Sequence, residues 1–88
     1  MGVPDQDEVS RSNLGIVDYL EGNYETAEAL FSGVRERGLY SADVSEATYF
    51  LSLIYRELKR SKEIKRLGSI TDLSSQPEYR VILDHQRR

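Results

Sequence analysis

Apolar residues recur along this chain at three- and four-residue steps, the period of an α-helix and not of a strand. Leu14, Val17 and Leu20, with Ile16, form the first stripe. Ser10 or Ser12 stands where its helix would be capped, and Gly22-Asn23 where it would end. A second stripe, Ala27, Leu30, Phe31 and Val34, begins almost at once and stops at Gly38. Glu25 and Glu28 near its start and Arg35 and Arg37 near its end suit the helix macrodipole. After a short connection over 39–43, Asp43 or Ser45 can cap a third helix bearing Ala47, Phe50, Leu51, Ile54, Tyr55 and Leu58. Two readings follow. Ser61 starts a fourth helix carrying Ile64, Leu67 and Ile70, or a single helix runs from about 45 to 67, since none of Lys59, Arg60 and Ser61 forbids helix.

Gly68-Ser69 weakens the end of that segment. Ser74-Ser75-Gln76-Pro77-Glu78 is a helix start, with proline in the first turn, and Tyr79, Val81, Ile82 and Leu83 follow. Residues 1–9 are polar, show no periodicity around Pro4 and read as a disordered lead-in. No strand pattern competes. The prediction is therefore an all-α domain over 10–88, with antiparallel helical hairpins at 10–38 and 44–73 and a C-terminal helix at 76–88.

Composition narrows the chemistry. At 88 residues the chain is one domain with a thin core. It has no cysteine, and His85 is its one histidine. Disulfides, thiolate metal sites and histidine-based triads within one chain are thereby set aside. The carboxylates fall on helical faces without a pocket signature, so the expectation is no enzyme and no cofactor. No apolar run approaches the roughly 20 residues that span a bilayer. The N-terminus resembles neither a secretory signal nor a good myristoylation site, so a cytoplasmic setting without membrane contact is expected.

The net charge of −3 is unevenly spread. Asp5, Asp7, Glu8, Asp18, Glu21, Glu25 and Glu28 face only Arg11 within residues 1–28. Arg56, Lys59, Arg60, Lys62, Lys65 and Arg66 cluster at 56–66 with Glu57 and Glu63. The two regions can attract each other within or between chains. As a nucleic-acid patch the basic run is weak, because the cations spread over more than one helical face and alternate with acids. A solvated face is the simpler reading.

One motif goes further. Leu14-Gly15, then Gly22-Asn23-Tyr24, Ala27 and Phe31, resemble one tetratricopeptide repeat, which pairs a leucine and a small residue in its first helix with a glycine-polar-aromatic turn, an alanine and an aromatic. Small residues at Gly15 and Ala27 let the two helices approach, and Gly22 permits the tight turn. Asp18 stands where the family prefers a large apolar residue, Val34 replaces its second alanine, and Gly38 takes the place of its proline stop. A second, divergent copy begins at Leu51-Ser52, 37 residues on, against a family period of about 34. Lys59 replaces its turn glycine and Ile64 its alanine.

The resemblance implies a concave groove lined by the first helix of each pair. It assigns partner-binding roles to Ser12, Ile16, Tyr19 and Leu20 in the first repeat and to Tyr49, Leu53, Arg56 and Arg60 in the second. Such a surface suits a peptide or helix of another protein, as in an adaptor or small chaperone. The set lacks the lysine, arginine and asparagine of a carboxylate-gripping groove. Against this, Ile16, Leu20 and Leu53 can simply belong to the core of a bundle. A further alternative is a structural homo-oligomer, in which an exposed apolar stripe forms the interface between copies.

Overall fold

A computed structural model describes residues 4–38 and 40–87, with side chains over 10–38 and 40–84. Five helices follow one another: α1 (Pro4–Leu20), α2 (Tyr24–Arg37), α3 (Ser41–Glu57), α4 (Ser61–Arg66) and α5 (Pro77–Arg87). No strand occurs among the described residues. The fold is all-α, with hairpin α1–α2 stacked on hairpin α3–α4.

The boundaries depart from expectation in three places. Residues 4–9, read as lead-in, belong to α1, with Pro4 at the first helical position, where a missing N–H is harmless. Residues 1–3 of that lead-in, and Leu39 and Arg88, lie outside the described residues. Helix α3 starts at Ser41, ahead of both proposed caps, because extended Tyr40 (φ −133°, ψ 132°) already turns the chain; its carbonyl accepts the Val44 N–H at 3.0 Å. Helix α4 has only six residues, since Gly68 takes φ 76° and ends it. Ile70, expected on that helix, is exposed in the connection to α5.

Residues 45–67 are two helices, and the break repeats an earlier turn. After α1, Glu21 N–H donates to Val17 O, Gly22 to Tyr19, Asn23 to Asp18 and Ala27 to Asn23, at 3.0, 3.1, 2.8 and 3.0 Å. After α3, Leu58 donates to Ile54, Lys59 to Arg56, Arg60 to Tyr55 and Ile64 to Arg60, at 2.9, 3.1, 2.8 and 3.3 Å. Every donor and acceptor is displaced by 37 residues. Gly22 has φ 83°, and Lys59, in its place, φ 58°. A left-handed lysine costs about 1–2 kcal/mol relative to ordinary helical backbone, which is why the sequence alone leaves the break open.

The core gathers around Phe50. The Phe31 ring stacks on it (centroids 5.2 Å apart, planes 4° apart), Tyr19 and Tyr49 meet it edge-on, and Tyr79 of α5 reaches it at 5.9 Å. Offset and edge contacts at these separations stabilise beyond simple area burial, by about 0.5–1.5 kcal/mol each. Gly15 faces the Phe31 ring so closely that a β-carbon would stand 2.9 Å from it. The α1 stripe is where the sequence reading fails. Leu14 and Val17 are 52% and 47% exposed, while Ser12, Gly15 and Tyr19 face inward. Close approach at glycine rotates α1 so that its small residues, not its branched ones, meet α2.

Candidate functional site

Helices α1 and α3 lie side by side, and the chain beyond α4 passes back across them. Between them is an open cavity of about 610 Å³. Tyr19 of α1, Tyr49, Ser52, Leu53, Arg56 and Glu57 of α3, and Ile64 of α4 form its inner wall. Ile70, Asp72 and Ser74 of the connection and Leu83 of α5 form the outer one. The volume lies in the range of small-ligand and side-chain-binding clefts.

Four of the eight residues assigned to partner binding, Tyr19, Tyr49, Leu53 and Arg56, are brought together here. On α3 they fall at spacings of four and three, which is one helical face. Ile16 and Leu20 are half-buried against the core and do not line the cavity. Ser12 is buried, and its hydroxyl has no hydrogen-bond partner among the described residues. Arg60 is placed elsewhere: its guanidinium lies 3.6 Å from the Glu28 carboxylate of α2, and it takes no part in the groove. The left-handed turn at Lys59 swings Arg60 off the face that carries Leu53 and Arg56, so extrapolating the helical spacing past Glu57 misplaces it.

The groove is also narrower than the resemblance implies, because α5 occupies part of it. Tyr79 packs against Tyr49 and Phe50, and its hydroxyl donates to Glu46 Oε2 at 2.6 Å. Helix α5 therefore acts as a wall of the site as well as the end of the core. Sequence reasoning missed this wall. Its one readable signal was Asp72-Leu73-Ser74: the Ser74 N–H donates to Asp72 Oδ1 at 2.9 Å, an aspartate turn that reverses the chain toward α5.

The electrostatics are mixed. Burial, reinforced by the field of Glu57, pushes the Tyr19 phenol up to about 12. Burial and then Asp72 raise that of Tyr49, and burial followed by the bond to Glu46 raises that of Tyr79. All three hydroxyls are thus neutral donors near pH 7. Hydrogen bonds from the Ser74 side chain and backbone hold the Asp72 carboxyl below its ordinary range. Arg56 is exposed at the rim beside Glu57, with Asp72 across the mouth. Among the described residues no histidine lines the cavity and no three potential ligands are close enough to hold a metal ion. The arrangement offers an apolar floor, phenolic hydroxyls and both signs of charge at its edge.

The basic run divides. Arg56 belongs to the cavity rim, Arg60 pairs with Glu28, Arg66 lies 3.4 Å from Glu63, and Lys59, Lys62 and Lys65 are exposed. Among the described residues no helix is long and apolar enough to cross a membrane. Comparison of the chain with protein-family models, with curated proteins and with solved structures found no match.

Proposed function

We propose that this chain is a protein-interaction module, built from a tetratricopeptide-like hairpin and a divergent second copy, that holds a short segment of a partner protein in the cleft between α1 and α3. The observation that carries the reading is the open cavity of about 610 Å³ with Tyr19, Tyr49, Leu53 and Arg56 in its wall. Tyrosine and arginine around an apolar floor are the residues that dominate binding energy at protein interfaces. The turn hydrogen bonds repeated at 37 residues support treating α3–α4 as a copy of α1–α2. The partner segment would place a bulky apolar side chain over Leu53 and Ile64 and an acidic one beside Arg56. An adaptor or small chaperone role follows from binding of this kind without chemistry on the bound segment.

The test is selection from a displayed random-peptide library against the purified chain. Enriched sequences should share an aliphatic or aromatic residue close to Asp or Glu. Their binding should weaken at least tenfold in Arg56→Glu, at an exposed position, and in Leu53→Asp, at a half-buried one, with circular dichroism showing that each variant is folded. Selected peptides that bind both folded variants as well as the parent chain would count against the cleft.

A further inference from the structure

The 37-residue register that relates the two hairpins also relates their faces, and one face is covered in only one of them. On α3, Ala47, Thr48, Leu51 and Ile54 are 0%, 5%, 1% and 0% exposed, because hairpin α1–α2 packs on them. Their counterparts on α1 are Ser10, Arg11, Leu14 and Val17, and all four are exposed. Hairpin α1–α2 thus presents outward the type of face that α3 buries.

The opposite end of the stack offers it no complement. There Gly68 and Thr71 stand at the register positions of Phe31 and Val34, and α4 shows solvent Lys62, Lys65 and Arg66. A head-to-tail chain of copies would set Leu14 and Val17 against lysine and arginine. The charges around the exposed pair match a copy of themselves instead. Arg11 precedes Leu14 by one turn and Glu21 follows Val17 by one turn, both exposed. Measured from the midpoint of Leu14 and Val17, they lie about 7 and 8 Å along the axis in opposite directions. Antiparallel pairing of two α1 helices sets Arg11 of one copy beside Glu21 of the other, twice, and Leu14 against Val17. Parallel pairing sets like charges together.

We propose that this chain forms a two-fold dimer through antiparallel α1 helices, with Leu14 and Val17 at its centre and Arg11–Glu21 pairs at its edges. Closed two-fold pairing is the commonest way for one self-complementary patch to be covered. Two apolar side chains make a small centre beside a standard interface of roughly 800 Å² per partner, so the dimer is a weak, reversible one.

Sedimentation equilibrium between a few and several hundred micromolar chain tests this. The parent chain should move from monomer to dimer across that range. Leu14→Asp and Val17→Asp should stay monomeric at every concentration, with unchanged helical circular dichroism. Arg11→Glu and Glu21→Arg should each weaken the dimer about threefold or more, and the double variant R11E/E21R should restore it. The chain lacks cysteine, so mixing Leu14→Cys with Val17→Cys chains under mild oxidation should give mainly the mixed disulfide. A parent chain that is monomeric at several hundred micromolar, a dimer insensitive to the aspartates, or a preference for 14–14 and 17–17 disulfides would each overturn the proposal. Should the aspartate variants unfold, the charge swap and the disulfide pattern still decide it.

Discussion

The two hairpins of this protein share a turn and differ in almost everything the turn connects. Four backbone hydrogen bonds recur 37 residues apart, with glycine in the left-handed position of one turn and lysine in the other. Inside the first hairpin, Gly15 makes room for the Phe31 ring. In the second, the equivalent pair is Ser52 and Gly68. With no ring opposite it, the serine β-carbon is tolerated, and its hydroxyl donates to the Tyr49 carbonyl at 2.6 Å. Gly68, standing in the aromatic's place, takes φ 76°, and α4 stops after six residues. Leu67, Leu73 and α5 then cover what a longer helix would have covered. Backbone geometry at a tight reversal therefore persists while the side chains around it diverge. The turn depends on main-chain bonds that many sequences can make, whereas a packed ring demands one specific partner.

The sharpest way to break this comparison is to cut the same side chain from both hairpins. Leu51→Ala should cost about 2–5 kcal/mol, since Leu51 is fully buried. Leu14→Ala, its register counterpart, should cost less than about 0.5 kcal/mol. Urea unfolding at low micromolar chain, where self-association contributes nothing, measures both. Equal losses would show that α1 and α3 are packed alike.

A smaller effect separates the two helix approaches. Gly15→Ala should destabilise by about 1–3 kcal/mol, because the Phe31 ring it would strike is held by its stack on Phe50. Ser52→Ala should stay within about 1 kcal/mol, the worth of one hydrogen bond. The same unfolding curves test this, and a neutral Gly15→Ala would mean that α1 can shift away from α2 at little cost.

The smallest effect lies in the turns, and there the signs oppose. Gly22→Ala should destabilise by about 1 kcal/mol through its positive φ. Lys59→Gly should stabilise by up to about 1 kcal/mol, the relief of left-handed strain less the entropy of a free glycine. At this chain length that corresponds to a rise of roughly 4–8 °C in Tm, readable by circular dichroism. A fall in Tm for Lys59→Gly would mean that the lysine side chain itself supports the turn.

Much of the fold is legible in the sequence because helical period and helix stops are local properties. Gly22, Gly38 and Pro77 mark boundaries through the φ values that they permit, and the three longest apolar stripes each become a helix. The site is legible in part. Tyr49, Leu53 and Arg56 stay together because one uninterrupted helix carries them. Arg60 does not join them, since a left-handed lysine intervenes and no local rule announces it. Leu14 and Val17 look like core in one dimension and are exposed in three. A stripe on a helix reports that a face is apolar, but not whether anything covers it.

Helical period and its stops are enough to specify the all-helical class, the first hairpin with small residues at Gly15 and Ala27 where its helices approach, and the 37-residue offset between Leu14-Gly15 and Leu51-Ser52. Each is encoded by spacing within a few turns of chain. Tertiary structure alone decided which way α1 rotates, that α5 walls the cleft between α1 and α3, and that the outer face of α1 is open. Those outcomes depend on contacts between residues far apart in sequence, such as Tyr79 with Glu46 and Phe31 with Phe50. Their energies compare whole packings of the chain, and no single segment carries that comparison in its own pattern.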